Sequence, residues 1–167
     1  FYNLLLLNNL VNQTVEVRIK YDPAGKLSVS PETVVFNGLN PTSSMVYLYK
    51  KELIVVSPAF THELEVMVTQ AQVTNAPVMV WSLLSAAGKS VSNGNGVGVG
   101  VMGKSTTKLE ISLGMIASGK YSPKRKLVKE YELNTRYYLR ILRGTLGMRV
   151  EVYADAGRTQ LIEKGEY

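Results

Sequence analysis

The chain has 167 residues, with 19 Lys plus Arg against 13 Asp plus Glu for a balance of +6, no cysteine and one histidine. At about 150 residues per domain this length holds one domain, residues 1–167, and a chain of this size buries roughly 70% of its unfolded surface without covalent staples. The missing cysteines exclude a disulfide framework, a thiol nucleophile and a thiolate zinc site, while the single His62 confines any Ser-His-Asp triad to one place and excludes a His-rich metal site.

Valine occurs 21 times against 9 alanines, and 10 tyrosines add to the excess of β formers over helix formers. A content of 46% hydrophobic and 19% charged residues is that of a folded chain. No run approaches the roughly 18 to 20 apolar residues of a membrane-spanning helix.

Phe1, Tyr2, Leu4, Leu5, Leu6, Leu7 and Leu10 make an uncharged start, with no charged side chain before Glu16. The block of leucines lacks the basic region of a signal peptide, so Phe1 reads as the first residue of a processed chain or of a trimmed fragment. Left exposed, such a segment is a sticky edge. Residues 1–12 are therefore expected either to pair within their own sheet or to be donated to a neighbouring copy, which would build filaments or shells.

From Thr14 to Lys20, Val15, Val17 and Ile19 alternate with Glu16, Arg18 and Lys20 as in a half-buried strand, and Asp22-Pro23-Ala24-Gly25 reads as a turn. Further strands are expected at Val34 to Phe36, Met45 to Tyr49, Leu53 to Val56 and His62 to Thr69. The turn signals Asn37-Gly38, Asn40-Pro41 and Ser57-Pro58 have the spacing of short antiparallel strands in a sandwich or barrel. Glu63 and Glu65 should leave one strand on the same face, where paired carboxylates could do glycosidic acid–base chemistry or simply be solvated.

Val78 to Leu84 reads as a strand buried on both faces. In Gly94 to Val101 the glycines recur at every second residue, which predicts a strand with one valine face and one bare face. An aromatic ring, a neighbouring backbone or a ligand must cover the bare face. The run Gly98-Val99-Gly100-Val101-Met102-Gly103-Lys104-Ser105 also matches the phosphate-binding loop pattern. Its context is wrong, because Leu109, Ile111 and Leu113 alternate like a strand where a helix is required, and the best aspartate for magnesium is the distant Asp155. Nucleotide binding remains a remote alternative.

Residues 120–149 hold nine basic groups against Glu130 and Glu132, so the whole excess charge lies there. Lys120, Lys124, Arg125, Lys126, Lys129 and Arg136 are candidates for an anion-binding surface, and Tyr121, Tyr131, Tyr137 and Tyr138 interleave with the basic stretch as possible stacking rings. The bland reading is a solvated sheet face. The clearest hairpin is Tyr137 to Arg143 with Met148 to Tyr153. Pairing 143 with 148 sets Ile141 opposite Val150, Leu139 opposite Val152, Arg140 opposite Glu151 and Tyr138 opposite Tyr153.

The segments Val35-Phe36-Asn37-Gly38, Phe60 to Val66, Gly94 to Val101, Asn134 to Ile141 and Glu151 to Asp155 together resemble the concanavalin A-like lectin/glucanase superfamily, in particular laminin G-like jelly rolls. The resemblance covers about three quarters of the chain, from Val34 to Ile162. It implies a two-sheet antiparallel sandwich that binds glycans or proteins through its loops or concave face. Glucanases of that superfamily carry a third carboxylate on the same strand, and here Met67 occupies that position, so hydrolysis is not expected.

The expected architecture is thus all-β, a two-sheet antiparallel jelly-roll-like β-sandwich without enzymatic activity, cofactor or metal. The first functional expectation is a structural subunit of an extracellular or viral assembly, joined to copies of itself through the N-terminal strand. The second is a lectin-like module with Trp81, Tyr138 and Tyr153 as sugar platforms. A glycan or anionic polymer is the other expected partner, outside the cell or at a virion surface.

Overall fold

Alternation of branched aliphatic residues with polar ones builds this protein from strands alone, and no helix occurs among the described residues. The computed structural model describes residues 2–7, 19–21, 25–29, 33–39, 47–49, 59–73, 77–84, 94–118, 120–145 and 147–167. In chain order the strands are β1 (Tyr2–Leu7), β2 (Ile19–Tyr21), β3 (Leu27–Val29), β4 (Thr33–Leu39), β5 (Tyr47–Tyr49), β6 (Phe60–Gln70) and β7 (Val78–Leu84). They continue as β8 (Gly96–Gly103), β9 (Lys108–Ala117), β10 (Lys120–Lys126), β11 (Tyr131–Glu132), β12 (Arg136–Gly144), β13 (Gly147–Tyr153) and β14 (Leu161–Glu166). The segments expected at 14–18 and 53–56 lie outside the described residues.

Two large antiparallel sheets form the molecule. A seven-stranded sheet runs β14-β13-β12-β6-β1-β4-β3, and a five-stranded sheet runs β10-β9-β8-β7 with β11 paired to β9. β2 and β5 make a separate two-stranded ladder. The inner faces of the two large sheets meet in one core. Val66, Val68, Leu139, Ile141, Val150 and Val152 of the first sheet join Val78, Val99, Val101, Leu109, Ile111 and Leu113 of the second in a single buried cluster.

Period-two alternation decides which side chains enter that core. On β12 the odd positions Tyr137, Leu139 and Ile141 are buried, and Arg136, Tyr138 and Arg140 turn outward. The register of β12 with β13 is the predicted one at every pair, from Tyr138 opposite Tyr153 to Arg143 opposite Met148. Gly144 opposite Gly147 closes it. Gly147 has φ +151, and a Cβ there would stand 2.5 Å from the Tyr167 carbonyl oxygen, so glycine is required.

β1 is an internal strand. It pairs antiparallel with β4 on one side and with β6 on the other. Of the two arrangements open to Tyr2, Leu4, Leu5, Leu6 and Leu7, pairing within the chain's own sheet is the one observed, and the backbone groups a donated strand would offer are already bonded here. Phe1 and Leu10 lie outside the described residues.

One flank of the sandwich is closed by the segment after β10. Leu127 is buried, its N–H donates to the Ile111 carbonyl at 2.9 Å, and its side chain packs where a Cβ on Gly165 would approach it to 2.6 Å. Beside it Tyr131 is 1% exposed and meets Tyr137 edge to face at 5.2 Å. The Tyr131 hydroxyl donates to Glu163, whose carboxylate also accepts the N–H groups of Val128 and Lys129. Burial is the main cause that pushes the Tyr131 phenol far above its ordinary value, with the Glu163 charge adding to it.

Candidate functional site

The outward face of the seven-stranded sheet collects the charged residues of four strands into rows. Strand pairing sets Glu65, Tyr138 and Tyr153 side by side across β6, β12 and β13, and Glu63, Arg140, Glu151 and Lys164 in the next row. Glu63 and Glu65 share this face, as their spacing requires, and Leu64 between them and His62 before them take the other phase of β6. Arg140 Nε donates to Glu63 Oε1 at 2.8 Å, and the Arg140 guanidinium lies over the Tyr153 ring at 5.5 Å. The Tyr153 hydroxyl donates to Glu151 Oε2 at 2.6 Å, and Arg149 approaches the other oxygen of Glu151 at 3.4 Å. These contacts leave their mark on the titrating groups. The hydrogen bond to Glu63 raises Arg140 above the ordinary guanidinium value, and the hydrogen bond to Glu151 raises the Tyr153 phenol.

Outward-facing groups on a sheet are usually wet, yet Glu65, Glu151 and Tyr153 are each under 10% exposed. A local turn after β13 brings in one of the groups that surround them. Asp155 accepts the N–H of Gln160 at 2.7 Å, the N–H of Thr159 at 3.0 Å and the Thr159 hydroxyl at 3.0 Å. The Gln160 amide is the largest of the influences that hold the Asp155 carboxyl below its ordinary 3.8, followed, after an opposing desolvation effect, by the Thr159 donors. The turn carries Arg158 in the left-handed region at φ +54. Its side chain is only 9% exposed and reaches Glu63 Oε2 at 3.3 Å.

Two polar atoms in this layer are buried without a hydrogen-bond partner. Arg158 Nε is one. Glu65 Oε1 is the other: Arg136 Nε stands 2.8 Å from it as an ion pair, but not in line for a hydrogen bond. One orphan is a donor and the other an acceptor, and Tyr138 occupies the sheet position beside Glu65. Tyr138 is half-buried, and its hydroxyl has no hydrogen-bond partner among the described residues.

The three residues expected as sugar platforms do not form one patch. Tyr138 and Tyr153 share the outer face, but Tyr153 is built into the ion-pair network. Trp81 is partly buried and packs against the core. A bulge between Met79 and Trp81 sets Trp81 opposite Val99, on the core side of β7. There its indole N–H donates to His62 Nδ1 at 3.1 Å, and Phe60 packs against both rings at the mouth of the sandwich. Tyr131 and Tyr137 are core residues too, because each lies on the inward phase of its strand.

The glycine-faced strand is covered by the chain itself. A Cβ on Gly98 would meet the Met79 methyl at 2.1 Å, and one on Gly100 would meet the Tyr121 ring at 3.2 Å. Tyr121 lies over the glycines with its hydroxyl on Ser112, and burial raises its phenol. The Gly98 to Ser105 motif runs as β8 into a hairpin turn and then β9, not as a loop opening a helix. Ser105 Oγ accepts the N–H groups of Thr107 and Lys108, and Lys104 pairs with the buried Glu110 at 3.3 Å. Asp155 is committed to its own turn. The arrangement that cradles phosphates is not formed by these residues.

The basic stretch divides in two. Lys126 pairs with Glu110 at 3.0 Å and Arg136 with Glu65 at 2.8 Å, so their charge is partly met within the chain although both side chains are exposed. Lys120, Lys124, Arg125 and Lys129 are exposed and have no carboxylate partner among the described residues. Among the described residues no group of three or more His, Asp or Glu side chains could hold a metal ion. Sequence reasoning missed Arg158, whose only signal is the turn composition Asp155-Ala156-Gly157 before it. Comparison with protein-family models, curated proteins and solved structures finds no match for this chain.

Proposed function

We propose that this chain is a non-enzymatic, lectin-like module that binds carbohydrate outside the cell, on the outer face of the seven-stranded sheet around Tyr138. The observation that carries the reading is Tyr138 itself, half-buried on this face with no hydrogen-bond partner for its hydroxyl among the described residues, at the sheet position beside the Glu65 carboxylate. The flat face of a pyranose packs on an aromatic ring and its hydroxyls can bond a phenol hydroxyl, so an unpartnered tyrosine on a polar face suits a saccharide better than an apolar ligand. Both carboxylates are occupied by guanidinium groups, Glu63 by Arg140 and Arg158 and Glu65 by Arg136. Neither stands free at a substrate as an acid–base pair must. The likeness to concanavalin A-like sandwiches is part of the same proposal.

Assembly through a donated N-terminal strand has less support, since β1 uses both of its edges inside the chain. A glycan array followed by titration of the best ligand tests the proposal. Tyr138→Ala should weaken binding at least about tenfold, roughly 1.4 kcal/mol, while Trp81→Phe leaves it unchanged and circular dichroism shows both variants folded. Absence of any glycan binding by the parent chain, or full binding by folded Tyr138→Ala, overturns it.

A further inference from the structure

A second surface, on the other sheet, carries the charge that the first one does not neutralise. β10 is an edge strand of the five-stranded sheet. Of its side chains Lys126 is paired, but Lys120, Lys124 and Arg125 are exposed and unpaired, and Lys129 follows on the turn beyond. A bulge between Pro123 and Arg125 inserts Lys124 into the strand as an extra residue.

Protection of a sheet edge against pairing would explain some of this charge. Pro123 and the bulge already blunt β10, however, and β7, the opposite edge of the same sheet among the described residues, Val78-Met79-Val80-Trp81-Ser82-Leu83-Leu84, has no charged residue. If edge protection set the charge, β7 would need it more. The unpaired cations of β10 are spaced along one strand, roughly 17 Å from Lys120 to Arg125 at the rise of an extended chain.

We infer that the β10 edge binds a linear anionic polysaccharide, one bearing carboxylate or sulfate groups, through Lys120, Lys124, Arg125 and Lys129. One edge strand offers its cations along one line of chain, which suits a polymer with one line of charges, whereas a nucleic-acid duplex presents two phosphate rows around a groove. Single-stranded nucleic acid is held largely by successive bases stacking on aromatic rings, and of the rings near β10 Tyr121 lies over Gly100 and Tyr131 is 1% exposed, which leaves Tyr167 as a lone exposed ring and no stacking platform. A polymer with charges and no bases fits what remains.

Dextran sulfate, with neutral dextran and with single-stranded and duplex DNA as comparisons, is the probe. Removing Lys120 and Lys124 together as serines should weaken dextran sulfate binding about tenfold or more at low salt. It should also flatten the dependence of log affinity on log salt by roughly one unit or more, because fewer counterions are released. The control removes the same charge elsewhere: Lys108→Ser with Lys164→Ser, two lysines already paired with carboxylates, should leave the affinity within about twofold. Equal loss in both variants would mean that net charge alone attracts the polymer, and tighter binding of DNA would make nucleic acid the partner. Either result, or no binding of dextran sulfate, overturns the inference. The site is independent of the Tyr138 face, since Tyr138→Ala should keep dextran sulfate binding and the β10 variant should keep any neutral glycan.

Discussion

The glycines of the five-stranded sheet are not equivalent, because what each would strike differs in its ability to move. A Cβ on Gly114 would stand 2.3 Å from the Ser122 carbonyl oxygen and 2.9 Å from Pro123 Cα, both backbone atoms of β10. At Gly98 the worst contact is the Met79 methyl at 2.1 Å, the free end of a flexible side chain. Gly114→Ala must therefore push a strand aside, at about 1 to 3 kcal/mol, while Gly98→Ala should cost less. Urea denaturation of both variants checks the order, and a larger loss for Gly98→Ala would contradict it. Asp155 makes a pH-dependent prediction at the same scale. Its folded carboxyl is held below the ordinary 3.8 by the amides of Gln160 and Thr159. The stabilisation is then fully present above the unfolded value and is lost as pH falls through the lowered folded value. Amide exchange at Thr159 and Gln160 should accelerate across that acid window, and Asp155→Ala should show the fast exchange already at neutral pH. Exchange that stays slow in the variant would mean that the turn does not depend on this side chain.

Individual strands were readable in proportion to how cleanly their side chains alternate. The β12–β13 hairpin could be registered from sequence because each slip by one residue would exchange Leu139, Ile141, Val150 and Val152 with Arg140, Arg149 and Glu151 across the sheet. Ile141 and Val150 are both 0% exposed, so Ile141→Ala should cost about 2 to 5 kcal/mol by leaving a cavity that the facing strands cannot close. A loss below about 1 kcal/mol, measured by urea denaturation, would show that this part of the core collapses freely. β10 was not readable as a strand, because Lys120-Tyr121-Ser122-Pro123-Lys124-Arg125-Lys126 has neither alternation nor apolar content and is held by its place at an edge. β14 was hidden for a related reason: Glu163 faces inward, where backbone amides and Tyr131 satisfy it, and Gly165 leaves room for Leu127. The candidate site was half legible. Same-strand spacing placed Glu63 and Glu65 on one face, and the cross-strand register brought Arg140 and Glu151 beside them. Arg158 arrives from a turn, where no periodicity points, and the bulge that sets Trp81 opposite Val99 leaves no mark in the alternation of the sequence.

For the whole molecule the decisive element is β1, since the seven-stranded sheet is continuous only through it. β6 contacts β12 on one side and β1 on the other, and among the described residues β4 reaches the rest of the sheet by way of β1 alone. Removing residues 2–7 would leave two unpaired strand edges facing one gap, with β3 and β4 cut off from the strands that carry the candidate site. A strand that merely joined copies would behave differently: its loss would dissolve the assembly and leave each subunit folded. Deletion of β1 is therefore expected to abolish a cooperative thermal transition and to drive aggregation through the bared edges. Light scattering of the intact chain over a concentration series completes the test, with a constant monomer mass expected. A deletion variant that stays monomeric and melts like the parent, together with large ordered particles of the intact chain, would return β1 to the role of a connecting strand and make glycan binding secondary to assembly.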